Sequence, residues 1–213
     1  MQKDVITQKS GIMLDIGCGA NKQPGFVGMD MREMPGVDIV HRVDKFPWPI
    51  DSDSVNTAMA SHLIEHIPPF SIDPRLTGIA NLLIAKGIVT TDEVAEFCGE
   101  FTDEPIFMRL MNEVWRVMKP ECDFLISLPY GWSFGYIQDP THANPCNEAT
   151  WQYFDPRFHL WYIYKPRPWI IQRGFPVWNN NGNMEIVLKK PSVDQLEKIN
   201  AAVERGEFYV ADK

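Results

Sequence analysis

The sequence predicts an α/β fold built on a mostly parallel sheet. Three observations carry that prediction. The first half of the chain alternates short apolar runs with Gly, Pro and Asp, the pattern of buried parallel strands. Between the fourth and fifth runs, apolar residues recur at helical spacing. The composition is that of an ordinary globular domain, with 45% hydrophobic and 23% charged residues, and 213 residues suit one domain with an elaboration.

The elements follow in order. Ile12 to Ile16 is an apolar run ended by Gly17-Cys18-Gly19, and Phe26 to Met29 is a second, ending in Asp30. Val37 to Val43 is a third, ending at Asp44; Val55 to Ala60 is the fourth; Cys122 to Leu128 is the fifth, stopped by Pro129. Phe107, Leu110, Met111, Val114, Trp115 and Met118 share one face of a helix that Lys119-Pro120 ends. Arg75 to Lys86 and Thr91 to Gly99 read as two shorter helices, the second capped by Thr91 or Asp92, in a helical insertion over about residues 71–103. After Pro129 the chain turns aromatic and proline-rich. Met184 to Leu188 is a late strand. Residues 191–205 form a terminal helix with Ser192 as cap and Val193, Leu196, Ile199 and Val203 as its apolar face; the tail is expected to fray.

Several classes are excluded early. A net charge of −8 argues against a non-specific nucleic-acid binder, which needs a basic face. No apolar run reaches the length of about 18 residues that a membrane-spanning helix requires. Met1 to Ser10 lacks the apolar core of a signal peptide. Cys18, Cys98, Cys122 and Cys146 include no C-x-x-C pair, so neither a disulfide framework nor a structural zinc site is expected, and a reducing cytoplasm is the expected location.

The strongest motif is Leu14-Asp15-Ile16-Gly17-Cys18-Gly19-Ala20-Asn21. A strand running into a glycine loop lets the backbone approach a ligand closely. Asp15 would repel a pyrophosphate, and Lys22 stands where a dinucleotide fingerprint needs its third glycine. Asp30, at the end of the next run, is placed to accept from two ribose hydroxyls. Acids around the loop suit a ligand with a cation and a ribose but no phosphate, and S-adenosylmethionine has that chemistry.

Residues 12–67, together with residues 116–120, resemble the class I S-adenosylmethionine-dependent methyltransferases in five places. Leu14 to Gly19 resembles their motif I, and Phe26 to Asp30 the acid closing their second strand. Val43-Asp44-Lys45-Phe46-Pro47-Trp48 resembles the Asp and following segment after their third strand. Asp53-Ser54-Val55 through Ser61-His62-Leu63-Ile64-Glu65-His66 resembles their fourth strand and the Leu-Glu-His after it. Arg116-Val117-Met118-Lys119-Pro120 resembles the approach to their fifth strand. The resemblance implies a three-layer Rossmann-like sheet of seven strands, the last antiparallel. It implies that Asp15 faces the methionine ammonium and that Gly17, Cys18 and Gly19 lie along the methionine and ribose. Asp30 would bind the ribose hydroxyls and Asp44 the adenine amine, with Met31 or Phe46 flanking the ring and Ser61 beside the cofactor. Two departures stand out. Asn21 replaces the family's third glycine and is expected in a left-handed conformation. The first crossover is short, leaving room for a helix of one or two turns at most.

For the acceptor, His142 in Asp139-Pro140-Thr141-His142 is the favoured base or acceptor contact, against an alternative as a turn histidine. His62 directly follows the fourth run and is the second candidate. Tyr130, Trp132, Phe134, Tyr136, Trp151, Tyr153 and Phe154 would line an acceptor pocket or simply fill a core. A small-molecule or sugar-type acceptor is expected, and Arg157, Lys165, Arg167 and Arg173 leave an acidic one open. Two rival readings are a cofactor-binding protein without turnover, acting as a regulatory or assembly subunit, and a zinc peptidase. The second rests on His62-x-x-Glu65-His66. Pro68-Pro69 cuts short any helix there and no further ligand is identifiable by spacing, so no metal is assigned.

Overall fold

The computed structural model describes residues 11–68, 74–94, 105–179 and 182–211. Its strands are β1 (Ile12–Ile16), β2 (Val27–Asp30), β3 (Ile39–Val40), β4 (Val55–Ser61), β5 (Met118–Pro129), β6 (Ile170–Ile171), β7 (Val177–Trp178) and β8 (Asn183–Lys189). The helices are α1 (Pro74–Ala85), α2 (Ile106–Val117), α3 (Phe134–Ile137), α4 (Glu148–Gln152), α5 (Trp161–Tyr164) and α6 (Val193–Glu204). The sheet has eight strands rather than seven, in the order β3-β2-β1-β4-β5-β8-β6, with the short β7 pairing β8 off that path. β1 to β5 are parallel, while β6, β7 and β8 pair antiparallel. The chain order reverses between β1 and β4, so the carboxyl ends of those strands form the crevice where ligands bind in such sheets.

α2 anchors the core. Its buried residues Ile106, Phe107, Leu110, Met111, Val114 and Val117 recur at helical spacing, and each contributes about 1.5–3 kcal/mol by leaving water. The helix stops at Val117, because the residue before Pro120 disfavours helical backbone. The chain passes straight into β5. Lys190, only 2% exposed, then donates to the Trp115 and Met118 carbonyls at the helix end and sits 3.8 Å from the Trp115 ring. In register, Phe124 faces Leu188 and Ala58, and Ile126 faces Ile186 and Ala60, all buried in the core.

The opposite face is thinly covered. Met13 and Leu125 are 40% and 39% exposed, and Met59, Leu125, Val187 and Phe175 line a shallow groove. The reason lies in the connections. Residues 17–26 and 31–38 contain turns and no helix, so the expected short first helix is absent. Asn21 does not take a positive φ; Gly17 (+70°) and Gly19 (+55°) do.

Elsewhere the helical insertion is seen as α1 and a turn at residues 91–94, with the rest of residues 71–103 outside the described residues. Thr90 caps that turn, not Thr91 or Asp92: its hydroxyl accepts from Glu93 N–H and its own N–H donates to Glu93. Ser192 caps α6 in a capping box with Gln195. On α6 Ile199 is buried, whereas Val193 is 62% exposed, too close to the helix start to reach the core. The chain does not fray at residue 206. Tyr209 is buried with Trp161, Ile199 and Ala202, and its N–H donates to the Tyr162 hydroxyl at 2.7 Å.

Candidate active site

The glycine loop is closed upon itself. Gly17 and Cys18 N–H both donate to the Met29 carbonyl, at 2.7 and 3.2 Å, and Asn21 N–H donates to the Cys18 carbonyl. Gly19 N–H donates to Asp30 Oδ2 at 3.0 Å, and Gln23 N–H to Asp15 Oδ2 at 2.8 Å. None of these five amides is left to cradle a phosphate, unlike those of a dinucleotide loop. A Cβ on Gly17 would lie 2.8 Å from Leu63 Cδ1, so the loop rests on the turn after β4. A Cβ on Gly19 would meet nothing within 4 Å, so this glycine opens onto free space. Lys22 lies across Gly28 and bonds Asp38 Oδ2 at 2.7 Å, and Asp38 also accepts from Gly28 N–H. Its cation is thereby committed within the protein.

The candidate cofactor residues fall on this rim. Asp15 and Asp30 are 4% and 6% exposed. Asp30 Oδ1 accepts from Arg32 N–H at 2.9 Å, so each carboxylate oxygen holds one backbone amide. A carboxylate has about four lone-pair sites, so two remain for a diol. Cys18 points inward against Gly28, and burial, then the charges of Asp15 and Asp30, push its thiol upward; its side chain fills space under the loop. Asp44 holds Arg42 through two bonds at 2.9 and 2.7 Å. Burial would raise its carboxyl, but the Arg42 hydrogen bond and charge outweigh it and hold the group below its ordinary range. Phe46 is half-buried under the Arg109 guanidinium at 4.7 Å, while Met31 is 56% exposed. Ser61 is exposed at the end of β4, in register with Ser127.

Burial pushes the Asp15 carboxyl above its usual value, against the Gln23 bond and the Lys22 charge that pull it down. A folded-state pKa above the unfolded one means that the ionised group weighs against folding, increasingly as pH rises from about 4. Asp15→Asn keeps an acceptor for Gln23 N–H. In urea denaturation its stability advantage over wild type is expected to open as pH rises above about 4 and to close near pH 3. A pH-independent difference contradicts this assignment.

The histidine candidates meet at the ends of β4 and β5. His62-x-x-Glu65-His66 does not lie on an α-helix. His62 has φ +52°, and only Ile64–His66 make one 3-10 turn. His62 and His66 are therefore not stacked one turn apart, as the zinc-peptidase reading required. His62 Nδ1 donates to Glu65 Oε1 at 3.2 Å, and Asn183 Nδ2 donates to His62 Nε2 at 3.0 Å. Residues 139–146 are stitched to this turn, since Ala143 and Asn144 N–H both donate to the Glu65 carbonyl. His142 Nδ1 donates to the Tyr136 carbonyl at 2.8 Å, and the His66 and His142 rings meet edge-on at 4.7 Å. Glu65, which the sequence assigned only through the zinc-peptidase motif, is the member shared by these contacts. It is fully buried, and its place in a Leu-Ile-Glu stretch otherwise apolar was the available signal.

The aromatic cluster spans core and surface, with Tyr130, Tyr136 and Tyr153 half-buried. Trp151 and Phe154 are core residues stacked edge-on against Phe107. Trp132 and Phe134 are 77% and 80% exposed beside the histidines' loop. Of the basic cluster, Arg157 is bound to buried Asp155, while Arg167 is exposed with its guanidinium 4.6 Å over Trp115. Cys146 is buried, and burial followed by the nearby Glu65 charge pushes its thiol up to about 12, so it is inert.

The strand order, with β8 antiparallel between β5 and β6, is that of the Rossmann-like methyltransferase fold. Solved structures with a similar course of chain include methyltransferases, at low identity. A methyltransferase of Haloferax volcanii in complex with the Trm112 activator is 10% identical, covers 87% of this chain and 85% of its own, and has a TM-score of 0.48. One from Archaeoglobus fulgidus is 15% identical over 84% of this chain and 85% of its own, with a TM-score of 0.47. The 1,6-didemethyltoxoflavin-N1-methyltransferase of Burkholderia thailandensis, bound to its substrate and S-adenosylhomocysteine, is 11% identical over 84% and 71%, with a TM-score of 0.46. No protein-family model and no curated protein matches the chain. Likeness at this level concerns the fold; the reading of the site rests on its own residues.

Proposed function

We propose that this chain is a single-domain enzyme that transfers a methyl group from S-adenosylmethionine to a small-molecule acceptor, with no part for nucleic acid. The observation that carries the reading is the glycine loop. Five of its amides are spent internally, and two buried carboxylates, Asp15 and Asp30, flank it at the carboxyl ends of β1 and β2. That donor set repels phosphate and suits a cationic ribose-bearing ligand. Asp30 keeps lone pairs for the ribose diol, Gly19 leaves room beside it, and Asp44 and Phe46 stand at the adenine end. Among the described residues no helix is long and apolar enough to cross a membrane. Cys18, Cys122 and Cys146 are free thiols, which suits the reducing cytoplasm.

When bound, the cofactor supplies an electrophilic methyl group; the protein aligns and deprotonates the acceptor. Of the two histidines, His62 is the better base. Glu65 fixes its Nδ1–H, as the acid of a triad does, and Nε2, on the exposed side, takes the acceptor's proton once the acceptor displaces the Asn183 amide that now donates to it. His142 holds its Nδ1–H on Tyr136, and its Nε2 lies 3.7 Å from Asp139 Oδ2. Trp132 and Phe134 offer a flat apolar surface for the acceptor. A panel of phenolic, sugar and carboxylate acceptors, assayed by release of S-adenosylhomocysteine, tests this. His62→Asn is expected to lower kcat by about 10²–10⁴-fold with cofactor affinity unchanged. Cofactor binding without release from any acceptor would overturn turnover, and a His62→Asn variant of full activity would overturn the base.

A further inference from the structure

We propose that Glu65, His66 and His142 form a binding site for a divalent first-row transition-metal ion such as Mn²⁺ or Zn²⁺. One ligand atom from each lies within 4.8 Å of the other two. A shared ion held at about 2.0–2.2 Å needs donor separations of about 3–4 Å, within reach of small side-chain rotations. The second observation is independent of that proximity. Glu65 is fully buried, and its Oε2 has no hydrogen-bond partner, although Oε1 holds His62. An unpaired carboxylate oxygen in the interior costs a desolvation penalty that a cation would offset.

The hydrogen bonds around the two imidazoles point the same way. The Thr141 hydroxyl donates to Asp139 Oδ1 at 2.7 Å, so at its 3.1 Å contact with His66 Nδ1 the ring N–H must be the donor. His142 Nδ1–H goes to the Tyr136 carbonyl. Both rings are thereby held in the tautomer that leaves Nε2 as a lone pair. An outer partner fixing each ring is the usual support of a metal-bound histidine. Two imidazole nitrogens and one carboxylate select a transition ion over Mg²⁺ or Ca²⁺. His66 is exposed, so water or oxygen atoms of a ligand can complete the shell from that side. The third ligand was not legible by spacing: it comes from residue 142, brought to the turn after β4 by the Ala143 and Asn144 bonds to the Glu65 carbonyl.

The test uses the full chain stripped of metal and titrated with Co²⁺, followed by visible ligand-field absorption and by calorimetry, with Zn²⁺ as competitor. One ion per chain is expected, displaced by Zn²⁺. His66→Ala, at an exposed position, should weaken Co²⁺ binding by at least about 30-fold while leaving circular dichroism unchanged. Glu65→Gln should do the same if it folds, Thr141→Val should cost about tenfold, and His159→Ala should bind as wild type. Absence of stoichiometric Co²⁺ and Zn²⁺ binding at 1 mM ion, or binding that survives His66→Ala, would overturn the site. S-adenosylmethionine binding measured in parallel on His66→Ala should be unchanged, which separates failure of this site from failure of the methyl-transfer reading.

Discussion

Asp30→Ala is expected to lower the affinity for S-adenosylmethionine by about 10–100-fold. Asp30 does two things at once. Its oxygens receive Gly19 and Arg32 N–H, fixing the loop against the end of β2, and in the proposed complex their remaining lone pairs take the ribose diol. Hydrogen bonds to a charged acceptor contribute about 1.5–3 kcal/mol, and 1.4 kcal/mol is tenfold in affinity. Removal of the carboxylate also frees the Gly19 amide, so faster hydrogen exchange at that amide should accompany the weaker binding. Asp30→Asn, which keeps one acceptor oxygen, should fall between the two. Equal affinity of Asp30→Ala and wild type would remove Asp30 from the binding site.

Asp155→Ala is expected to cost about 3 kcal/mol of folding stability without touching the crevice. Asp155 is fully buried between α4 and β6. It accepts from Ile171 N–H at 2.8 Å and from the backbone and guanidinium of Arg157, which in turn donates to the Ile171 carbonyl. Truncation leaves a part-buried guanidinium and a buried amide without their acceptor, and breaking a buried pair costs about 3–5 kcal/mol. The lower end applies because the Arg157 side chain is 33% exposed. Urea denaturation measures it, and a loss below about 1 kcal/mol would show that water replaces the carboxylate.

Much of this architecture is legible in the sequence because local signals agree with the fold. β1, β2, β4 and β5 are short apolar runs with turn residues at their ends, and α2 carries an unbroken apolar stripe. The loop Gly17–Gly19 and the acids Asp15 and Asp30 occupy the crevice because each closes or adjoins a strand. What escaped the sequence depends on contacts between distant residues. Lys190 reads as a surface lysine until β8 carries it under the end of α2, 72 positions from the Met118 carbonyl that it meets. Asn21 looked like the residue needing a left-handed backbone, yet with no helix between β1 and β2 the turn is made by Gly17 and Gly19 instead. His62, Glu65 and His66 matched a helical zinc motif by spacing, but the positive φ of His62 breaks that geometry and turns His66 to His142. The aromatic residues after Pro129 could not be sorted into core and surface from composition, because their burial depends on whether α2 lies beneath them.

The central claim is that the crevice at β1 and β2 holds S-adenosylmethionine. Isothermal titration of the full chain with S-adenosylmethionine tests it most directly. Binding of one cofactor per chain, weakened by Asp30→Ala and insensitive to added inorganic pyrophosphate, is the predicted result. No heat of binding at millimolar ligand, or displacement by pyrophosphate, would contradict it.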